Sequence, residues 1–308
     1  MNLNTGTGAK VPVGRHGEGT QSLAVLMLFN AFLQKWNKGS PIVALEEPEA
    51  HLHPSAVRAL WQLIDRIPGQ KIVSTHSGDL LSEVPPDAVT RLHKRGGLVV
   101  ASRLKDVNLD PAGSRKFNFH IRRARGELLF ARCWILGEGE TEATLIPESA
   151  RVLEKDLERV GIRFVTYQTG ISLEPCLRIA NGMGIYWVVL TDNDQQAAKD
   201  HQVVRNYLNG RLEPEALFVM PEANIEQHLC VNGFADVYYA LLSDQPRQTV
   251  TAQPQDQDYP LQVANALPGK LKTHAAQQVV AAMRDDRRPV PNLFRDVIET
   301  ALKLAEEI

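Results

Sequence analysis

Two kinds of apolar run alternate along this chain, and their order predicts its elements. From Ser22, the run SLAVLMLFNAFLQKW is apolar on nearly every side and reads as a helix. Short apolar runs bounded by turn residues predict buried strands at 41–45 and 71–75, with a helix over 54–67 between them. A turn follows at 76–79, and 97–103 reads as a strand at a sheet edge. The polar stretch 105–116 suits a linker, and 122–131 a helix leading into a second unit. That unit alternates strictly. Strands are expected at 133–136, 162–167, 186–190 and 217–220, and helices at 141–160, 173–181 and 197–208. Such alternation predicts a parallel sheet covered on both faces. Beyond Ile225 the pattern turns helical, broken by the polar run 243–259.

Length and composition narrow this picture only a little. A chain of 308 residues is long for one domain, so two or three folded units are expected. The formal net charge of −2 provides no global basic field. Contact with nucleic acid therefore needs local basic groups or bound cations. Cys133, Cys176 and Cys230 form no CxxC pair, which argues against a disulfide framework or a zinc site and fits a reducing cytoplasm. No apolar run reaches the ~18 residues of a membrane span, and the polar N-terminus lacks the apolar core of a signal peptide. A cytoplasmic protein is expected.

Three features of residues 1–104 occur in a telling order. Gly17-Glu-Gly-Thr-Gln-Ser22 stands before the first helix, where free N–H groups can meet phosphate. The strand at 41–45 ends in Glu46-Glu47 and continues Pro48-Glu-Ala-His-Leu-His-Pro54. Acids at a strand end can hold a hydrated magnesium ion and polarise a water. The next strand ends in Ser74-Thr-His-Ser77. Together these resemble the C-terminal half of an ABC-type ATPase. The resemblance makes Gly17, Gly19, Gln21 and Ser22 its signature motif, and Glu46 and Glu47 its Walker B acids. It makes His51–Pro54 the D-loop and His76 the switch histidine. No GxxxxGK[ST] loop occurs, so no ATP turnover is expected from this chain alone, which reads as lacking the N-terminal ATPase half.

The second unit carries acids at its strand ends. Glu138 follows the strand at 133–136 directly, flanked by glycines, and Glu142 falls one helical turn further on the same face. The strand at 186–190 runs into Thr191-Asp-Asn-Asp194, where Asp192 and Asp194 alternate off an extended end. Open parallel sheets build their sites at strand C-termini. Clustered carboxylates repel one another without a cation, and such hard oxygen donors suit Mg²⁺ or Mn²⁺ rather than zinc.

EGxTE followed about 50 residues later by DxD resembles the Toprim domain of topoisomerases, primases and OLD (overcoming lysogenization defect) nucleases. An ABC ATPase ahead of a Toprim domain is the OLD arrangement. The resemblance implies an acid/base and metal-binding role for Glu138, and metal ligation by Asp192 and Asp194, with Glu142 as the additional OLD acid. It asks for one more acid and a lysine. Glu226 or Glu222 can supply the first, and Lys272 or Lys270 the second, steadying charge at the cleaved phosphate.

The fold class implied is α/β. A partial ATPase lobe (1–104) is followed by a linker and helix (105–130), a Rossmann-like Toprim domain (131–230) and a helical region completing its site (231–308). The implied activity is DNA cleavage with two Mg²⁺ or Mn²⁺ ions, one held by Glu138, Glu142 and Asp192, the other by Asp194 and Glu226. ATP would act only in a complete ATPase domain. Arg122, Arg123, Arg125 and Arg132 are candidates for the DNA backbone, although a solvated helix face explains the same run.

Two other readings stay open. One is a regulatory ATPase fragment that binds without cutting. The other is a topoisomerase or primase, for which no tyrosine-bearing or zinc domain is visible. The resemblance also implies a homodimer through ATPase heads, a helicase partner and a role in phage defence or DNA repair.

Overall fold

Glycine and proline set the ends of the first elements. The computed structural model describes residues 2–4, 10–35, 40–107, 109, 113, 115, 117, 126–167, 171–195 and 197–306. β1 (Asn2–Asn4) pairs antiparallel with β2 (Lys10–Pro12), and α1 (Glu18–Gln34) follows. β3 (Ile42–Glu46) and β4 (Gln70–Ser74) are parallel neighbours linked through α2 (Pro54–Asp65), and α3 (Gly78–Glu83) comes after β4. Pro54 opens α2 where its missing N–H is harmless, and the His53 side chain accepts from the Ser55 N–H. Leu26, Leu33, Val43, Leu60, Ile64 and Leu80 belong to their shared core.

α1 begins four residues before the expected start at Ser22, so the glycine-rich stretch is its cap and first turn rather than a preceding loop. Gly19 is needed there, because a Cβ would stand 2.6 Å from the His51 carbonyl oxygen.

The chain forms two compact units, Met1–Val89 with Asn118–Phe130, and Thr90–Phe117 with Ala131–Ile308. The boundary expected at 104 therefore falls earlier. β6 (Leu98–Arg103) pairs with β5 (Thr90–Arg95) as a two-stranded hairpin, not as the edge of a larger sheet. Its place in the second unit comes from Arg91, which donates to the carbonyls of Met183 at 2.7 Å, Gly184 at 3.0 Å and Ala131 at 2.9 Å. In the stretch expected as linker Val107 is buried, and so are Leu104 and Phe117 on either side of it. Within the expected helix 122–131, Glu127–Phe130 is a 3₁₀ turn, and 122–125 lie outside the described residues.

The second unit is built on a four-stranded parallel sheet. β7 (Cys133–Gly137), β8 (Ile162–Thr166), β9 (Tyr186–Thr191) and β10 (Leu217–Val219) stand in the order β10-β9-β7-β8. Every residue of β7 is buried, as a parallel strand covered on both faces requires. Trp134 and Trp187 are core residues, as their place at strand starts implies.

α4 (Glu140–Val152) ends eight residues short of expectation, because Glu154 at φ 59° and Gly161 at φ 79° turn the chain back to β8. α5 (Leu173–Met183) and α6 (Ala197–Asn206) precede β9 and β10. α7 (Ile225–Leu229), α8 (Ala235–Leu241), α9 (Tyr259–Ala266), α10 (Lys272–Asp285) and α11 (Asn292–Glu306) complete the unit. These late helices share one core with the sheet, running from Cys133 to Ala305. No helix among the described residues is long and apolar enough to cross a membrane.

Candidate metal-dependent active site

Parallel strands all end on the same side of a sheet, so residues just past β7, β8 and β9 become neighbours without being close in sequence. Glu138 leaves the end of β7 and is only 8% exposed, with its Oε1 accepting the Asp192 N–H at 3.2 Å. Glu142 is buried in the first turn of α4, where its Oε2 accepts the Gly139 N–H at 3.1 Å. That carboxylate reaches back to the N-cap N–H, the half of a capping box that a glycine N-cap allows, and so helps fix where α4 begins. Gly137 is glycine for lack of room, since a Cβ would meet the Phe164 ring at 2.4 Å.

Asp192 extends from β9 into the same group. Its carboxyl is pushed up to about 8, first by burial and then by the charges of Glu138, Glu142, Glu226 and Asp194. Burial also raises Glu138, with Asp194 and Asp200 adding to the effect, and raises Glu142, with Glu138 and Glu226 adding. Asp194 is exposed, and its Oδ1 accepts the Ala197 N–H at 2.9 Å at the start of α6.

Of the two acids left open after β10, Glu226 is the one directed into the cluster. It is 4% exposed and meets Lys272 Nζ at 3.1 Å. Glu222 instead bonds His228 Nδ1 at 2.6 Å. Lys270 is exposed on the turn before α10.

The donor set fits a hard divalent cation. Asp192 Oδ1 is buried without a hydrogen-bond partner, and a cation would relieve both that atom and the repulsion among the acids. Among the described residues no three such side chains already form a coordination shell, so the acids are neighbours rather than a closed cage.

Arg132 does not belong with them. It precedes β7 while Glu138 follows it, a separation of about 20 Å at the usual strand rise, and its guanidinium reaches the Ala305 carbonyl at 3.5 Å. Arg122, Arg123 and Arg125 lie outside the described residues.

Sequence reasoning missed Tyr167, Tyr238, Asp200 and His201. Tyr167 and Tyr238 are buried tyrosines whose hydroxyls face these acids. His201 Nε2 and Thr191 Oγ1 are 2.9 Å apart beside the end of β9. Tyr167 carried a legible signal, since it closes the parallel strand predicted at 162–167.

In the first unit the ATPase-like residues share one cleft of about 690 Å³, lined in part by Glu18, Gln21, Ser22, Glu46, Glu47 and His51. Gly17 caps α1 and Gly19 sits against His51. Glu47 holds His76, accepting its N–H at 3.3 Å with the ring Nε2 3.6 Å from its other oxygen.

Four parallel strands with clustered acids past their ends define a Toprim-type catalytic fold. Residues 129–194 match the family model described as "Overcoming lysogenization defect protein-like, TOPRIM domain", and 15–127 match "Protein of unknown function (DUF2813)". Over residues 129–194 the chain therefore carries an OLD-like Toprim domain. It is 37% identical over 240 residues to "Uncharacterized protein YbjD" of Escherichia coli K12, an overlap covering 74% of this chain and 43% of that one. It is 30% identical over 194 residues to "OLD nuclease" of Thermus scotoductus, covering 60% of this chain and 36% of that one. "Endonuclease GajA" of Bacillus cereus is 28% identical over 195 residues, with 62% and 33% covered. The chain thus spans less than half the length of these curated relatives. The C-terminal region of the Xanthomonas campestris OLD protein superposes at a TM-score of 0.45 with 24% identity, covering 59% of this chain and 97% of that one.

Proposed function

We propose that the second unit is the cutting centre of a divalent-metal-dependent DNA endonuclease of OLD type. The observation that carries this is Asp192, a half-buried strand-end carboxylate with one buried, unpartnered oxygen, surrounded by the charges of Glu138, Glu142, Glu226 and Asp194. Binding alone does not require so many ionisable groups in one buried place, since each raises the cost of ionising the others. The relatives named as nucleases support the same reading.

In this reading Glu138, Glu142, Asp192, Asp194 and Glu226 hold Mg²⁺ or Mn²⁺. When bound there, such ions would supply a water of lowered pKa and a counter-charge for the leaving oxygen. Glu138, whose buried carboxyl binds a proton more readily than usual, is suited to accept one from the attacking water. Lys272, kept beside the cluster by Glu226, offsets negative charge on the cleaved phosphate. Lys270 stands one turn away as the weaker candidate. The first unit belongs to an ATPase-type lobe that hydrolyses no ATP in this chain alone, because the sequence holds no phosphate-binding loop.

Plasmid cleavage by the purified chain with Mg²⁺, Mn²⁺ or Ca²⁺, without ATP, tests this. Nicking or linearisation that EDTA, Glu138→Ala and Asp192→Ala each abolish supports the nuclease reading. Religated topoisomers, or DNA binding with no metal-dependent cleavage, would count against it.

A further inference from the structure

Tyr167 follows β8 directly, and its N–H donates to the Gly137 carbonyl at 3.0 Å. That bond sets it beside the strand end from which Glu138 projects. The side chain is 4% exposed, and its hydroxyl is buried without a hydrogen bond of ordinary geometry. Buried polar groups in native structures nearly always have partners, so an orphan hydroxyl needs a reason.

Its surroundings supply one. Glu138, Asp200, Glu142 and Asp192 are the acids nearest to it. A phenol there is a donor among carboxylate acceptors. Its nearest acceptor is Glu138, whose Oε1 is already committed to the Asp192 N–H at 3.2 Å. A donor reaching the same carboxylate from the β8 side would leave it little freedom to rotate.

We infer that Tyr167 is a positioning residue whose hydroxyl donates to the Glu138 carboxylate and fixes the orientation in which it meets a divalent cation. This rests on Glu138 being a metal ligand, as proposed above. Hydrogen bonds that orient ligating carboxylates commonly affect metal affinity and activity by about 10–100-fold when lost. The opposing account is that the ring merely fills space, in which case a phenylalanine serves equally well.

The full chain, Tyr167→Phe and Glu138→Gln are compared in three measurements. These are Mn²⁺ affinity by electron paramagnetic resonance without DNA, thermal unfolding in EDTA, and kcat and KM on plasmid. For Tyr167→Phe the expectation is an unchanged melt in EDTA and Mn²⁺ affinity weakened about 10-fold. A kcat lowered to a similar degree, with KM for DNA unchanged, completes it. Wild-type Mn²⁺ affinity in Tyr167→Phe, with Glu138→Gln impaired, overturns the positioning role and leaves the metal site standing. A loss of affinity accompanied by a lower melting temperature in EDTA overturns it in favour of packing. Failure of the unsubstituted chain to bind Mn²⁺ removes both readings.

Discussion

Asp192 is a carboxylate that the fold makes costly to ionise. In an unfolded chain it titrates near 4, and in the fold at about 8. Folding therefore favours its protonated form. The stability linked to it is fully present below about pH 4 and is lost as pH rises through about 8. In EDTA the melting temperature should fall by several degrees between pH 6 and pH 9, and Asp192→Asn should flatten that fall. Parallel decline of both proteins across this interval would show that Asp192 is not the source. The residue types at the site were legible in advance, because Glu138, Glu142, Asp192 and Asp194 each stand at a predicted strand end or the turn after it. Tyr167 was not singled out, since a tyrosine closing a strand is ordinary until one knows which acids surround it.

At the scale of elements, the hairpin β5–β6 shows how one side chain decides where a segment belongs. The Arg91 guanidinium bonds three carbonyls at the end of α5 and before β7, and burial lowers its pKa to about 10. Arg91→Ala should destabilise the second unit by about 2–4 kcal/mol, as expected for hydrogen bonds made by a charged, partly buried group. Urea unfolding followed by tryptophan fluorescence of Trp134 and Trp187 would measure it; a midpoint unmoved by the substitution would contradict the anchoring role. This attachment was invisible beforehand. β5 reads Thr-Arg-Leu-His-Lys-Arg, a polar stretch without buried alternation, and its partners are 40 or more residues away. The parallel strands of the second unit, by contrast, were placed within a residue or two, because their apolar runs are short, buried and cleanly bounded.

Across the whole molecule, separate cores among the described residues support the two units, one around Leu60 and Ile64 in the first and one spanning Cys133 to Ala305 in the second. Two thermal transitions are expected by calorimetry. Saturating Mn²⁺ should raise only one of them, because a ligand stabilises the unit that binds it. Glu138→Ala should cancel that rise, and Mg²⁺-ATP should move neither transition. A single transition, or an Mn²⁺ shift that survives Glu138→Ala, would contradict this division. With a net charge of −2, attraction to DNA has to be local, so removing bound cations should weaken DNA affinity as well as cleavage.

By itself the sequence determined the α/β class of the chain, the Toprim likeness of its second unit and the parallel character of the second sheet, and it singled out the acids at the strand ends. Those features depend on local periodicity and on residues adjacent to strand ends. Only the tertiary structure decided that Glu226 rather than Glu222 faces the cluster and that Arg132 lies at the wrong end of β7. It alone showed that the hairpin 90–103 joins the second unit and that Tyr167 stands among the carboxylates. Each of these turns on side chains distant in sequence meeting in space, where burial and partner geometry, rather than spacing along the chain, set the outcome.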